Sequence, residues 1–257
     1  MIKMEDIVFR REQRTIIQNI NLHMKKDENW VILGKNGSGK TTLLEMMNGY
    51  QFPSSGKVTV LGYLYGEVDL REMRKRIGYI SQSLFEKLNL RDPVWEVVAT
   101  GAYAFLRFYQ TIPQETVEKA HAMLEFVGLS KVKDQLLGTL SQGERKKILL
   151  ARALMTEPDI LIMDEPCAGL DLYEREKFLN IVQHMKDKGP LMIYVTHHIE
   201  EIMPVFTHVA LIDDGKLVAS GEKADVLTAE HLSAAFQVPL AVDWYGGRSW
   251  LKVTGSI

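Results

Sequence analysis

The chain has 257 residues, of which 46% are hydrophobic and 25% charged, and its formal net charge is −2. This composition is typical of a globular protein with one large domain or two small ones, and it excludes disordered, collagen-like and coiled-coil chains. A near-neutral chain is not expected to bind nucleic acid directly. The single cysteine, Cys167, excludes an internal disulfide and fits a reducing cytoplasm. No apolar run approaches the ~20 residues of a membrane-spanning helix, and the polar N-terminus predicts no signal peptide.

Short apolar and β-branched runs predict strands, and several are continuous enough to be buried on both faces of a parallel sheet. The order is strands, then a helical block over about residues 84–155, then alternating strands and helices. This order predicts an α/β protein with an inserted helical subdomain. The predicted strands are Ile7–Phe9, Ile16–Leu22, Trp30–Leu33, Lys57–Leu61, Ile77–Ile80, Ile160–Met163, Met192–Val195 and Val209–Ile212.

Helices are predicted from periodicity and from residues that favour helix ends. Asn48-Gly49 predicts the end of the first helix, and Gly128 predicts the end of another. Asp92-Pro93 predicts an N-cap followed by proline at the first helical position. The predicted helices are Thr41–Met47, Val94–Ala104, Thr116–Val127 and Glu144–Leu154.

The tail over about residues 238–257 departs from this pattern. Leu240, Val242 and Trp244 alternate as in a strand, and Gly246-Gly247 can turn the chain. We expect a small hairpin there, and its sequence indicates no function. Because no Gly/Ser-rich or Pro-rich linker divides the chain, we expect one domain with subdivisions.

The clearest motif is Gly-Lys-Asn-Gly-Ser-Gly-Lys-Thr at residues 34–41, which matches G-x-x-x-x-G-K-[ST] without a mismatch. A predicted strand precedes it and a predicted helix follows it. The glycines let backbone N–H groups and the helix N-terminus face phosphate oxygens. Lys40 is predicted to reach the β- and γ-phosphates, and the Thr41 hydroxyl to bind Mg²⁺. The candidate nucleotide-binding residues are Gly34, Asn36, Gly37, Ser38, Gly39, Lys40, Thr41 and Thr42.

A second motif is the apolar strand Ile160–Met163, which ends in Asp164 and Glu165. Two acids at a strand end are common on protein surfaces, so the pair alone is a weak signal. Together with the glycine loop, it predicts that Asp164 holds the Mg²⁺ site and that Glu165 orients or deprotonates the attacking water.

With these motifs the chain resembles the ATP-binding-cassette (ABC) ATPase family over about residues 3–235. The most specific element is Leu140–Glu144, which resembles the family signature with Gln142 in place of its second glycine. The order and spacing of the remaining motifs agree with the family. Gln82 resembles the Q-loop glutamine, Ala168–Asp171 the D-loop, His197 the switch histidine, and Gly215–Gly221 the terminal hairpin of the core.

The resemblance implies a P-loop NTPase fold of ABC type, with a mixed-sheet core, an antiparallel β subdomain and an inserted helical subdomain. Within this single ABC domain we expect the nucleotide-binding core over about residues 1–83 and 156–237. The helical subdomain is expected over about 84–155 and the tail over about 238–257.

The resemblance also implies an ATPase in which two copies, or this chain and a related subunit, pack head-to-tail around two ATP molecules. The glycine loop of one copy faces Ser141 and Gly143 of the other, and Asp171 shapes the partner's site. His197 contacts the γ-phosphate and positions Glu165. The implied catalytic residues are Glu165, His197 and Gln82, and the implied Mg²⁺ ligands are Thr41, Gln82 and Asp164.

One position departs from the family pattern. An aromatic residue usually stacks on adenine near the first strand, and here Arg11, or alternatively Arg10, occupies that position. A guanidinium group can still stack on a base. We therefore include Arg11 among the nucleotide-binding residues and expect weaker discrimination between ATP and GTP.

The chain is too short for two cassettes and lacks a long coiled coil, so a free-standing transporter ATPase is the leading hypothesis. The segment Asp92–Gly101 is similar to import ATPases for metals, metal complexes or oxyanions. An integral membrane permease is then the expected partner, which places the protein in the cytoplasm on the inner face of the membrane. Nearby aromatic residues either line the groove for that permease or form subdomain core. They are Trp95, Tyr103, Phe105, Phe108 and Tyr109.

Two other classes remain as alternatives. One is a soluble ABC ATPase that acts with cytosolic partners, as in iron–sulfur cluster assembly or a nucleic-acid stress response. The other is a nucleotide-binding regulator without catalysis, which is disfavoured because Lys40, Asp164, Glu165 and His197 are all present.

Overall fold

The computed structural model describes residues 1–185 and 189–255, and its elements follow an α/β order. The strands are β1 (Ile2–Arg11), β2 (Arg14–Met24), β3 (Trp30–Leu33), β4 (Ser55–Val60), β5 (Tyr63–Leu64), β6 (Ile77–Ile80), β7 (Ile160–Asp164), β8 (Leu191–Thr196), β9 (His208–Asp213), β10 (Lys216–Glu222), β11 (Leu240–Tyr245) and β12 (Arg248–Val253). The α-helices are α1 (Lys40–Met47), α2 (Leu70–Lys75), α3 (Gln82–Phe85), α4 (Val94–Ala99), α5 (Gln114–Phe126), α6 (Gln142–Leu154), α7 (Leu172–Gln183), α8 (Lys223–Val226) and α9 (Ala229–Phe236).

The chain divides into two compact units, and the first comprises Met1–Arg74 with Leu191–Ile257. One of its sheets is antiparallel, with the strand order β2-β1-β4-β5. A second, mixed sheet has the order β10-β9-β3-β8 within this unit, and β3 is parallel to both of its neighbours. All four residues of β3 are buried, as expected for a short apolar strand in the middle of a sheet.

The second unit, Lys75–Pro190, contains the parallel pair β6 and β7 and most of the larger helices. Helix α6 packs against α4, α5 and α7, and nine of its thirteen residues are buried. Lys146, Lys147 and Arg152 are among these buried residues, so three charged side chains of α6 are largely shielded from solvent.

Each predicted strand lies within or overlaps an observed strand, and the four predicted helices are present with shifted ends. The prediction of a helix over Val94–Ala104 is wrong in two respects. The α-helix ends at Ala99 and continues as a 3₁₀ turn, Thr100–Tyr103. Its N-cap is Pro93 rather than Asp92.

Distant backbone contacts explain this second error. The N–H groups of Val94 and Trp95 donate to the carbonyls of Gln135 and Lys133 at 2.9 Å each, so the helix start needs no side-chain cap. The buried Asp92 carboxylate instead accepts a hydrogen bond from Asn89 at 2.6 Å and pairs with Arg107 at 3.1 Å.

The predicted tail hairpin is formed by β11 and β12, which pair from Leu240↔Val253 to Tyr245↔Arg248. Residues 256–257 of the predicted tail lie outside the described residues. The domain bounds implied by the family resemblance stay a prediction, since the compact units have their borders at 74/75 and 190/191. Within the described ranges, no helix combines the length and the apolar character needed to cross a lipid bilayer.

Candidate nucleotide-binding site

In the first unit, the glycine loop and the switch histidine leave one sheet at the same edge. Leu33, the last residue of β3, pairs in register with Thr196, the last residue of β8. Because the two strands are parallel, Gly34 and His197 follow side by side at their carboxyl ends. This edge is where open α/β sheets bind their ligands.

The Lys40 side chain lies over the glycine loop. Its Nζ donates hydrogen bonds to the carbonyls of Gly34 at 2.7 Å and Lys35 at 2.9 Å. Lys35 itself pairs with Asp213 on β9 at 3.1 Å. The buried Ser38 Oγ makes no hydrogen bond to any described residue. A buried hydroxyl without a partner in a loop of N–H groups is suited to an anionic oxygen.

Two glycines of the loop are required by its geometry. Gly39, the N-cap of α1, has a φ of +104°, which strongly favours glycine. A Cβ at Gly34 would lie 2.2 Å from the Ile212 carbonyl oxygen, so any side chain there would clash with β9.

His197 is half-buried, and its imidazole packs against the exposed His198 ring with centroids 4.1 Å apart. The residues on both sides of it are fixed by one hydroxyl group. Thr196 Oγ1 donates to the buried Glu201 carboxylate at 2.7 Å and accepts from the His198 N–H at 2.9 Å. Glu201 is a supporting residue that the sequence reasoning missed.

Arg11 ends β1 and is exposed, opposite Arg14 in the β1–β2 hairpin. The same antiparallel sheet adjoins the glycine loop through β2, because a Cβ at Gly39 would lie 2.6 Å from Ile17 Cδ1. The Gln18 N–H also donates to Gly215, whose own N–H donates to Ser38.

In the second unit, Ile80 on β6 pairs in register with Met163 on β7. Gln82 and the acids Asp164 and Glu165 are therefore placed at one edge of this strand pair. Glu165 has a φ of +44°, a left-handed conformation that costs a non-glycine residue about 1–3 kcal/mol. Such strain concentrates at functional sites, and no sequence pattern indicated it here.

Gln82 begins α3, where Ser81 caps the helix by accepting from the Leu84 N–H. The exposed Gln82 side chain donates from its amide Nε2 to Glu86 Oε1 at 3.4 Å. The predicted ligand oxygen of Gln82 is thus on an accessible amide at the start of a short helix.

The signature residues form the N-terminus of α6. Ser141 is the N-cap, and it forms a reciprocal capping box with Glu144. Gly143 is buried against α7, since a Cβ there would lie 2.5 Å from Glu174 Oε2. Asp171 caps α7 by accepting from the Glu174 N–H at 2.9 Å, so Glu174 contacts both motifs.

Lys146 was not singled out from the sequence, yet it is only 5% exposed on α6. Burial lowers the pKa of its ammonium, and the charges of Cys167, Asp164 and Glu165 oppose that shift. Lys146 therefore lies near Asp164, a predicted Mg²⁺ ligand, and near Glu165, a predicted catalytic residue.

The glycine loop, Arg11 and His197 belong to the first unit, and Gln82, Asp164, Glu165 and the signature and D-loop residues to the second. The glycine loop and His197 follow one pair of parallel strands, and Gln82, Asp164 and Glu165 follow the other. These features define a nucleoside-triphosphatase of the P-loop class. They are the glycine loop at a helix N-terminus, the strand that ends in two acids, and the histidine that follows β8.

The chain belongs to the ABC transporter family, because the family's sequence model matches residues 17–168. The ABC transporter ATP-binding protein YlmA of Bacillus subtilis is 41% identical over 254 residues, which cover 98% of this chain and 96% of that protein. The methionine import ATP-binding protein MetN 1 of Staphylococcus epidermidis is 32% identical, covering 91% of this chain and 70% of its own.

The fold is also similar to that of solved ABC transporter ATPases. The solved structure of cbiO1 from Clostridium perfringens, part of the ABC transporter complex cbiONQ, is 26% identical with a TM-score of 0.78. The aligned region covers 91% of this chain and 92% of the cbiO1 chain. The predicted fold class is confirmed, and so is the function of an ATP-binding, ATP-hydrolysing transporter subunit. These relatives do not favour the alternative of a soluble ABC ATPase with cytosolic partners.

Proposed function

We propose that two copies of this ATPase close head-to-tail around two ATP molecules and drive a separate membrane permease. The observation that carries the proposal is Ser141, which is exposed at the N-terminus of the thirteen-residue helix α6. A helix N-terminus attracts negative charge, and here it is open to a phosphate held by another copy. Leu172 and Tyr173, beside Asp171, are 65% and 67% exposed, which supports a protein contact at the D-loop.

Within each site, the glycine loop is proposed to bind the phosphates. Lys40 then exchanges its bonds to the loop carbonyls for bonds to phosphate oxygens, and Ser38 Oγ gains the partner it lacks. Glu165 orients and deprotonates the attacking water, and His197 contacts the γ-phosphate.

We further propose that ATP binds with Mg²⁺, held by Thr41, Asp164 and Gln82. These residues offer hydroxyl, carboxylate and amide oxygens, which are the ligands that Mg²⁺ prefers. When bound, Mg²⁺ neutralises charge that develops on the β- and γ-phosphates. Both Thr41 and Gln82 are exposed, and Asp164 is half-buried at the end of β7.

The permease is proposed to contact the aromatic surface that follows α4. Of the five aromatic residues predicted for groove or core, Phe108 is 8% exposed and packs as core, whereas Tyr109 is 92% exposed. Tyr103 and Phe105 are also exposed and stack with centroids 5.7 Å apart. Phe105 and Tyr109 border a cavity of about 500 Å³, whose other lining residues are Ala104, Leu106, Arg107 and Gln110. An open aromatic surface of this kind suits an apolar helix of a partner.

Import is the proposed direction, supported by the resemblance of Asp92–Gly101 to import ATPases and by the relative MetN 1. The protein is then cytoplasmic and held at the inner face of the membrane by its permease.

The experiment that tests this function is copurification from the native cell. Tagged Glu165→Gln protein, expected to hold ATP without hydrolysing it, is recovered from gently solubilised membranes with ATP and Mg²⁺. A stoichiometric polytopic membrane protein is the expected partner, and it should be lost from a second variant that also carries Phe105→Ser and Tyr109→Ser. Recovery with cytosolic proteins or nucleic acid alone would contradict the transporter role.

A further inference from the structure

The C-terminal hairpin, β11 with β12, packs on the segment that follows the switch histidine. Arg248, the first residue of β12, donates hydrogen bonds from both Nε, at 3.2 Å, and Nη2 to the carbonyl of Glu200. Because the acceptor is a main-chain carbonyl, these bonds fix the backbone of the short 3₁₀ helix Ile199–Glu201. A charged donor makes such hydrogen bonds stronger than neutral ones.

Other contacts seat the hairpin on the first unit. Lys223 Nζ donates to the Gly247 carbonyl at 3.2 Å, in the turn between the strands. Gly247 has a φ of +75°, and a Cβ there would lie 3.3 Å from Pro204 Cγ. At the other end, the Leu240 N–H donates to Ser233 Oγ at 3.0 Å. These contacts hold the hairpin at both of its ends and thereby fix the position of Arg248.

From Glu200 the contacts continue to the switch histidine by two routes. The Glu200 carboxylate lies 3.5 Å from His198 Nδ1, and the His198 ring packs against the His197 ring. Glu201, the next residue, accepts from Thr196, the residue before His197. A shift of the 3₁₀ helix would thus move the neighbours of His197 on both sides.

We propose that Arg248 is a positioning residue for ATP hydrolysis, which holds the His197 imidazole in its working orientation through Glu200 and His198. This inference rests on the proposed role of His197 at the γ-phosphate. It gives a function to the C-terminal hairpin, which has no role in the transport cycle proposed above. Because Arg248 acts on His197 through Glu200 and His198, its effect is expected on the turnover step rather than on ATP binding.

The test compares Arg248→Ala and Arg248→Lys with Lys252→Ala, an exposed position on the same strand. We expect Arg248→Ala to lower kcat for ATP about tenfold and to leave KM within about twofold, less than the ~10²-fold effect of a 1 Å misplacement of a catalytic group. Lysine at 248 keeps one donor for the Glu200 carbonyl and should restore part of kcat. Lys252→Ala should resemble the wild type.

A spectroscopic readout separates positioning from general stability. In histidine-labelled protein, the His197 imidazole resonances should shift in Arg248→Ala and stay in place in Lys252→Ala. If Arg248→Ala does not fold, Arg248→Gln is measured instead, since its amide can also donate to Glu200. Wild-type kcat together with unchanged His197 resonances in these variants would overturn the inference.

His197→Ala distinguishes this inference from the proposed function. If His197→Ala hydrolyses ATP like the wild type, the proposed role of the histidine fails. If His197→Ala is inactive while Arg248→Ala keeps wild-type kcat, the role of the histidine stands and that of the hairpin fails.

Discussion

Leu33 and Thr196 lie opposite each other in the register of two parallel strands, β3 and β8. This pairing starts the glycine loop and the switch histidine at the same edge of one sheet. Ile80 and Met163 have the same relationship in the second unit, where Gln82 and the acids Asp164 and Glu165 follow. Two strand registers therefore place most of the residues that the sequence motifs single out.

The first prediction concerns the proposed general base. Glu165→Gln keeps the size of the side chain and removes its ability to accept a proton, so we expect kcat to fall by about 10²-fold or more. ATP binding should persist, because the glycine loop is unchanged. Phosphate release and binding of a fluorescent ATP analogue measure the two effects.

Glu115→Gln is the matched control, since Glu115 is an exposed glutamate in the first turn of α5. It should leave both quantities unchanged. A Glu165→Gln enzyme with wild-type turnover would exclude Glu165 as the base.

The second prediction concerns the nucleotide base. If the Arg11 guanidinium stacks on adenine, Arg11→Ala should raise KM for ATP about fivefold with little change in kcat, as expected for a lost stacking contact. Arg11→Tyr should restore the KM and sharpen the preference for ATP over GTP. Arg14→Ala, across the same hairpin, is the control and should leave KM within about twofold. Equal KM values for Arg11→Ala and Arg14→Ala would argue against stacking by Arg11.

The third prediction concerns the close contact between Gly143 and Glu174. Alanine at 143 must displace the Glu174 carboxylate, which pairs with the buried Lys147 at 3.3 Å. We expect Gly143→Ala and Glu174→Ala each to lower the free energy of unfolding by about 1–2 kcal/mol. Because both changes break the same ion pair, the double variant should lose less unfolding free energy than the sum of the losses in the two single variants. Additive losses in urea denaturation would show that the two sites are independent.

The fourth prediction is a pH dependence at Glu28. Burial alone raises the pKa of this carboxyl, but hydrogen bonds from the Lys25 N–H and Trp30 Nε1, with the charges of His208 and Lys25, lower it overall. Because the pKa of Glu28 is lowered, its ionised carboxylate stabilises the fold at pH values above the unfolded pKa of about 4.3. This stabilisation is lost as the pH falls through the folded pKa.

Glu28→Gln should therefore be less stable than the wild type at pH 7 by about 1 kcal/mol. The difference should shrink as the pH falls below about 4.3. Chemical denaturation at pH 7, 5 and 3 measures it. A difference that grows toward acid would mean that the pKa of Glu28 is raised instead.

The elements that the sequence predicted well are those in which local pattern and tertiary context agree. The strand Trp30–Leu33 is apolar throughout and is buried throughout, and α6 begins only two residues before its predicted start at Glu144. The helix after Asp92 was predicted with the wrong cap, because its first N–H groups bond to carbonyls at Lys133 and Gln135. No local pattern contains that information.

The same limit applies at the site. The motifs placed Lys40, Asp164 and His197 by spacing alone, and their roles stay predictions. The left-handed backbone at Glu165, the buried Lys146 and the support that Glu201 gives to Thr196 depend on packing between distant segments. These features could be found only from the three-dimensional arrangement.

The most direct test of the shared ATP sites is complementation between two inactive variants. Lys40→Ala removes the phosphate-binding lysine and Ser141→Arg blocks the signature helix, so each protein alone should be inactive. In a symmetric head-to-tail dimer, an equimolar mixture contains mixed pairs with one intact site each. We expect the mixture to recover up to about a quarter of wild-type ATPase activity. If the mixture shows no more activity than its separate components, the two copies do not share their sites.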